Sequence, residues 1–491
     1  MPGEAGSNGN GTFDARHWLE HALATRPVRW LLDRLTRAAE GEKTPLERAV
    51  ACYRNPDAPA AERARFWALH RLIDAAAGPK AMATLAGRSV QQAATIRGLV
   101  LTARSVARFG LTQPQRFVAP LIVVWNFTNR CNLRCAHCYQ DATAGGSDDE
   151  LTLDEKMALL DQMDRHYLAM VAFAGGEPTM SPDLLPAIAR CRQIGMHVSV
   201  ATNGTTMTRD RAAGLAEAGA RYVEVSLDSV HPDKHDRFRG VPGMWARSVE
   251  GMRNIVATPG LRLGVAICIT QNNVDEAEEM IRFAIDIGAE CIAHFNFIPV
   301  GRGVGMIDED ITPQQRERLL ALLDRTMQAG RIGVISTAPQ LGRHCLSHAA
   351  YPGSRTACSH AGSGSGAKAR VVARYLGGCG AGRTYACIQP NGDVTPCVYM
   401  PHAVMGNVRH AEYPDIWREH PLWETLNDRD AFTHHCGTCR FKFYCGGCRA
   451  RADAYFGDPA AGDPGCVFNQ AHWDRLVAGA EEQEEDATLR C

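Results

Sequence analysis

Leu121-Ile-Val-Val-Trp-Asn126 is an apolar, β-branched run, and just beyond it the chain reads Asn129-Arg-Cys-Asn-Leu-Arg-Cys-Ala-His-Cys-Tyr139. The first stretch has the composition of a buried strand. The second puts Cys131, Cys135 and Cys138 in a Cys-x3-Cys-x2-Cys spacing in the loop that leaves that strand. Thiolates suit iron-sulfur clusters, which ordinarily take four cysteines, and this triad supplies three. One iron would stay open, and an open coordination position marks a reactive metal site rather than a structural one. The alternative for this spacing is a zinc site closed by His137 or by a distant cysteine.

Working outward, further β-rich runs occur at Met170–Phe173, His197–Ala201, Tyr222–Ser226, Arg262–Ile269 and Cys291–Ile298. Amphipathic segments over about 153–166, 182–194, 208–219, 244–256 and 275–287 separate them. Six β/α units in sequence predict a parallel sheet with crossover helices, as an open barrel or a doubly wound sheet. In either case the site belongs at the C-terminal ends of the strands. Upstream, His17 to about Gly110 carries apolar residues three or four apart, as in Trp18-Leu19-Ala22-Leu23 and Phe66-Leu69-Leu72-Ile73, and predicts a helical domain. Nothing there suggests chemistry, since Cys52 and the histidines lack partners at ligand spacing.

The triad with its following aromatic, Tyr139, resembles the signature of the radical S-adenosylmethionine (SAM) superfamily, and the resemblance extends over about residues 118 to 300. Gly175-Gly176-Glu177-Pro178 is similar to the family's GGEP motif, whose glycines allow close backbone approach and whose Glu177 would meet the SAM ammonium group. Thr202-Asn203-Gly204 matches the family's TNG, and Ser226-Leu-Asp228 resembles the segment contacting the SAM ribose and carboxylate. His235-Asp-Arg-Phe-Arg-Gly240 resembles its HDxxRG stretch. There Arg239 would pair with a carboxylate, although a surface salt bridge reads equally well. Ile298 is placed to touch the adenine, with core packing as the plainer role. The resemblance implies a partial (β/α)6 TIM-like barrel, an α/β fold. It also implies a 4Fe-4S cluster, SAM, and an electron donor such as flavodoxin or ferredoxin. The activity implied is reductive cleavage of SAM to methionine and a 5′-deoxyadenosyl radical, which abstracts hydrogen from an unactivated C–H bond.

A second set of cysteines follows: Cys379-x12-Gly392-x4-Cys397, then Cys436-x2-Cys439-x5-Cys445-x2-Cys448, then Cys466. This resembles the SPASM extension, which carries two auxiliary 4Fe-4S clusters, in the variant of the haem-synthesis and mycofactocin-maturing branches. Carried over, Cys436, Cys439, Cys445 and Cys466 close one cluster, while Cys379, Cys397 and Cys448 hold the other, one ligand short. Position 373, where some relatives have an extra cysteine, is Ala. Cys387 is the obvious candidate. A two-residue hairpin turn at Asn391-Gly392, however, pairs Gln389 with Val394 and sets Cys387 and Cys397 on opposite faces. The position would then stay open or be filled by Cys345, Cys358 or substrate, and a one-residue bulge would reverse the facing of Cys387. Zinc ribbons share these spacings and are the alternative here. Cys191, Cys268 and Cys291 fall in predicted helices or strands and read as buried apolar residues.

The predicted domains are 1–115 (helical), 116–310 (barrel), 311–370 (a connector with a helix over 313–329 and a flexible Gly362–Ala367), 371–475 (SPASM) and 476–491 (acidic tail). Lysine plus arginine number 53 against 54 acids, so no net field draws the chain to nucleic acid or to an anionic membrane. Met1–Thr12 lacks the pattern of a signal peptide, and no apolar run approaches ~20 residues, so a cytoplasmic protein is expected. Eighteen cysteines in that compartment point to metal or catalysis rather than disulfides. The first expectation for substrate is a peptide or protein, the second a tetrapyrrole or another small molecule. The rival class is a non-catalytic iron-sulfur or zinc protein.

Overall fold

The computed structural model describes residues 21–39, 41–53, 55–76, 92–350, 353–357, 363–471 and 473–476, and the chain forms two compact units, Met1–Leu111 and Thr112–Cys491. The first is helical, over Arg26–Thr36, Pro45–Cys52, Ala60–Arg65, Trp67–Ala76 and Ala93–Phe109. A capping box between Thr44 and Glu47 starts its second helix, and Arg104 clamps the end of the first by donating to the Thr36 carbonyl at 2.8 and 3.1 Å. Cys52 is buried in this unit, and Trp18 and Leu19 lie outside the described residues.

In the second unit the predicted strands form β1 (Ile122–Thr128), β2 (Met170–Gly175), β3 (His197–Thr202), β4 (Tyr222–Ser226), β5 (Arg262–Ile269) and β6 (Cys291–Asn296). Each is parallel to the next, with helices between them at Leu153–Arg165, Leu184–Ile194, Arg209–Ala218, Met244–Val256 and Ala277–Asp286. The two-residue period of a strand splits these segments. Val123, Trp125, Phe127, Val171, Phe173, Val223 and Val225 are buried on the helix side. The alternate residues, among them Val124, Ala172, Ser199, Glu224 and Cys268, line a cavity of about 330 Å³. The sheet therefore wraps around that cavity as a barrel.

The six-strand expectation is extended at both ends. β7 (Gly333–Ser336) adds in parallel beside β6, inside the stretch read as a connector. Two further strands, β8 (Arg355–Ala357) and β9 (Ser363–Ser365), pair as an antiparallel ribbon there. The Gly362–Ala367 loop expectation is thus corrected: Ser363–Ser365 is in strand and a helix runs from Gly366 to Leu376, while Gly362 lies outside the described residues. Cys379–Cys466 then supplies β10 (Tyr385–Ile388), β11 (Asp393–Thr395) and β12 (Gly406–Asn407). β10 pairs in parallel with β1, Val123 facing Ala386 and Val124 facing Cys387. The cysteine-rich segment is therefore an extension of the barrel sheet. Among the described residues no helix is long and apolar enough to cross a membrane.

Candidate active site

The loop leaving β1 is fastened at several points. The Glu150 carboxylate accepts from the Asn129 amide at 2.7 Å, and the Cys131 amide donates to the Thr143 carbonyl at 2.8 Å. The amides of Arg134 and Ala136 donate to the carbonyls of Arg239 and Phe238, the end of a helix over Pro232–Arg239. Gly176 lies against the same loop, its amide donating to the Thr128 carbonyl. A Cβ on residue 176 would stand 2.3 Å from the Arg130 carbonyl oxygen, so only glycine fits. Cys131, Cys135, Cys138, Tyr139, Gly175 and Gly176 all line the cavity. Burial pushes the Cys131 thiol up to about 12 and raises that of Cys135. Metal binding here must therefore release protons from buried thiols.

The Glu177 side chain turns away from the cavity that Gly175 and Gly176 line. Glu177 is fully buried behind the wall and accepts from the Thr202 hydroxyl and the Asn203 amide, each at 2.7 Å, and from the Thr179 amide at 3.1 Å. Burial raises its pKa despite these donors. It is thereby tied to Asn203, which lines the cavity and whose Nδ2 donates to Asn132 of the cysteine loop at 2.8 Å. Pro178 begins the turn Pro178–Met180 behind the same wall.

Of Ser226-Leu-Asp228, Ser226 is on the cavity wall and Asp228 is not. Asp228 accepts from Arg239 Nε at 2.6 Å and from the Cys268 amide at 3.0 Å. Burial alone would raise this carboxyl, but the adjacent Arg239 guanidinium holds it below its ordinary value. Arg239 is therefore no surface residue: its Nη1 stands 3.7 Å from Cys135 Sγ. Ile298 is 3% exposed yet lines the cavity, packed with Val300, Met400 and Cys448. His137 stacks on Phe238 with ring centroids 4.1 Å apart, and burial drives its pKa down to about 3, leaving it neutral.

Cys379, Cys397 and Cys448 line the same cavity as the first triad. Tyr139 stands between the two sets, its ring 5.2 Å from that of Tyr399 and its hydroxyl donating to Asn126 at 3.1 Å. Cys436, Cys445 and Cys466 form a separate group off this wall. Burial, then Cys466 and Cys436, raise the Cys445 thiol, and Arg449 Nη2 is 3.7 Å from Cys436 Sγ. Cys439 caps the helix His434–Thr438 that carries Cys436. Among the described residues no three His, Cys, Asp or Glu side chains converge on a point that would hold a single metal ion.

The hairpin expectation fails by one residue. Cys387 pairs with Thr395 and Ile388 with Val394, so the turn takes an extra residue and Cys387 faces the side on which Cys397 packs. Yet Cys387 is fully buried under its neighbours on that side and does not itself line the cavity, with Gln389 Nε2 donating to its sulfur at 3.6 Å. Cys345 lies near Asp324 and the Ala357 backbone, away from the wall, and Cys358 is outside the described residues. Cys191 and Cys291 are buried as expected, whereas Cys268 is on the cavity wall. Sequence reasoning also passed over Tyr222, Glu224, Arg302 and Tyr399, all on that wall. One signal was available: Glu224 shares the inward parity of Ser226 within an otherwise apolar strand.

A profile of the Radical SAM superfamily matches residues 125–284, and one of the SPASM iron-sulfur cluster-binding domain matches residues 379–440. Two similar proteins are from Methanosarcina barkeri. The AdoMet-dependent heme synthase is 29% identical over 71% of this chain and 97% of its own. The Fe-coproporphyrin III synthase is 30% identical over 71% and 88%. Mycofactocin maturase MftC of Mycobacterium ulcerans is 29% identical over 71% and 88%. Among solved structures, Streptococcus suis SuiB matches the fold with a TM-score of 0.60 at 16% identity, over 87% of this chain and 93% of that one.

Proposed function

The chain belongs to the radical SAM superfamily and carries a C-terminal iron-sulfur cluster-binding domain, and on that premise we propose that its substrate is a peptide or protein side chain, altered at an unactivated carbon. As a radical SAM enzyme it uses a 4Fe-4S cluster and SAM. When bound, these supply a 5′-deoxyadenosyl radical able to take hydrogen from such a carbon.

The residues present fit these groups. Cys131, Cys135 and Cys138 would hold the SAM-binding cluster, since three thiols reach one cavity and leave a fourth position open. The cavity faces of Tyr139, Gly175, Gly176, Asn203, Ser226 and Ile298 would receive SAM. Arg239 would balance the charge at Cys135, with Asp228, Glu177 and Pro178 holding these groups from behind. Cys379, Cys397 and Cys448 would hold one auxiliary cluster, and Cys436, Cys439, Cys445 and Cys466 the other. The apolar wall excludes water from the reacting carbon.

One observation carries the peptide reading. Both arginines on the cavity wall are already engaged, Arg239 by Asp228 and Arg302 by the Cys135 and Ala142 carbonyls and Asp141. Among the described lining residues no cation remains for the carboxylates of a propionate-bearing tetrapyrrole. The tetrapyrrole reading is the second, supported by the similarity to the two Methanosarcina barkeri synthases. The test gives the anaerobic, reduced holoenzyme SAM with either a peptide pool or Fe-coproporphyrin III and follows 5′-deoxyadenosine release. Acceleration by peptides, with a mass change in one of them, is expected. Acceleration by the porphyrin alone overturns the reading.

A further inference from the structure

Glu224 is the single carboxylate among the described residues lining the cavity. It lies two residues back from Ser226 along β4, roughly 7 Å further from the strand's C-terminal end. Its one hydrogen bond among the described residues is donated by Tyr222 Oη to Oε2 at 3.2 Å. The phenol is built into place. A Cβ on Gly264, which pairs with Glu224 across β4 and β5, would stand 1.9 Å from that hydroxyl, so the missing side chain is what gives Tyr222 its room. Ala201 pairs with Glu224 from β3, and Met170, Ala172, Ala266 and Ile335 also line the cavity, with the hydroxyls of Ser199 and Ser226 on the same wall. Among the described lining residues no arginine or lysine is left for the Glu224 carboxylate: Arg239 and Arg302 are engaged elsewhere.

A half-buried carboxylate facing a largely apolar cavity with one neutral donor is costly unless something compensates it. A cavity that keeps such a group is one in which the ligand brings the missing charge. We propose that Glu224, supported by Tyr222, is the subsite for an alkylammonium group of the substrate, a primary amine whose methylenes lie along the apolar wall. This deepens the peptide reading and rests on it, since a lysine-like side chain has this build and a propionate does not. Burial pushes the Glu224 carboxyl up to about 7. Binding a cation near neutral pH therefore draws its proton off. The other titratable groups facing it are Tyr222 on its own strand and Cys291 on β6, and both are raised by burial and carry no charge between pH 6 and 8.

The test titrates the reconstituted holoenzyme with SAM by calorimetry, using n-butylammonium and, separately, butyrate. Saturable amine binding is expected at pH 8, about tenfold weaker at pH 6 because only about a tenth of Glu224 is then ionised. Glu224→Gln should lose at least about tenfold, with its iron content reporting that the variant has folded, and Glu224→Asp should recover part of the loss. Butyrate bound as tightly as the amine overturns the subsite even if neither variant folds. So does a folded Glu224→Gln that binds the amine as the wild type does. Peptide-driven turnover with tight butyrate binding removes the subsite and keeps the peptide reading. Porphyrin-only turnover with Glu224-dependent amine binding does the reverse.

Discussion

Arg239 donates its Nε to Asp228 at 2.6 Å inside the protein, and the same guanidinium reaches to 3.7 Å from Cys135 Sγ. The pair joins the end of β4 to the cysteine loop, so the charge that would face an anionic cluster is itself held by a buried carboxylate. Asp228→Asn leaves that guanidinium unpaired. It should destabilise the apo chain by about 3–5 kcal/mol, the usual cost of breaking a buried pair from one side. Urea unfolding measures this, and a loss below about 1 kcal/mol would mean that the pair is not formed.

Glu177 is hydrogen-bonded to the Asn203 amide at 2.7 Å, and we expect it to act on SAM binding through that residue. Glu177→Gln keeps the shape but turns an NH2 group towards donors, the Asn203 amide or the Thr202 hydroxyl. Loss of such a supporting contact should weaken SAM binding by about tenfold or more with the cysteines untouched. The KM for SAM in uncoupled cleavage reads this at constant iron content, and an unchanged KM would remove the positioning role.

Glu224 has a folded-state pKa raised from 4.5 to about 7 by burial. The native state therefore holds its proton more tightly than the unfolded chain does. The contribution is fully present below about pH 4.5 and lost as pH rises through about 7. Between pH 5 and 8 the wild-type apo chain should lose up to about 3 kcal/mol that Glu224→Gln does not lose. Urea midpoints for both proteins at the two pH values check the difference, and parallel pH profiles would contradict it.

Cys448 lines the cavity with Cys379 and Cys397, whereas Cys387 is buried beside Cys397 without lining that cavity. Cys448→Ser should drop iron by about four per chain from about twelve, and Cys387→Ser should leave it unchanged. Iron and sulfide analysis after anaerobic reconstitution decides. A loss of about four irons in Cys387→Ser would make that thiol the missing ligand.

The barrel was legible because each of its strands is an apolar run with a polar or glycine-bearing end. β4 and β5 begin and end at the predicted residues. The motifs at those ends were legible as positions but not as directions. Glu177 and Asp228 are charged residues at strand ends, yet both turn into the protein, because neighbouring amides, hydroxyls and Arg239 offer them a complete set of partners. Apart from Thr179, these partners come from distant parts of the chain, the end of β3, β5 and the helix Pro232–Arg239, and no local pattern records them. β7 and β8 are too short, at four and three residues, for periodicity to register, and β10 joins β1 across more than 250 residues of chain. The hairpin register turned on one extra turn residue, below what a turn dipeptide specifies.

We assign the reactive cluster to Cys131, Cys135 and Cys138. The decisive measurement is 5′-deoxyadenosine release from anaerobic holoenzyme given dithionite and SAM, in the wild type and in Cys135→Ala. The wild type should release 5′-deoxyadenosine, and the variant should release none while keeping about eight of about twelve irons in its C-terminal clusters. Continued release by the variant would place the reactive cluster on other cysteines and contradict the assignment.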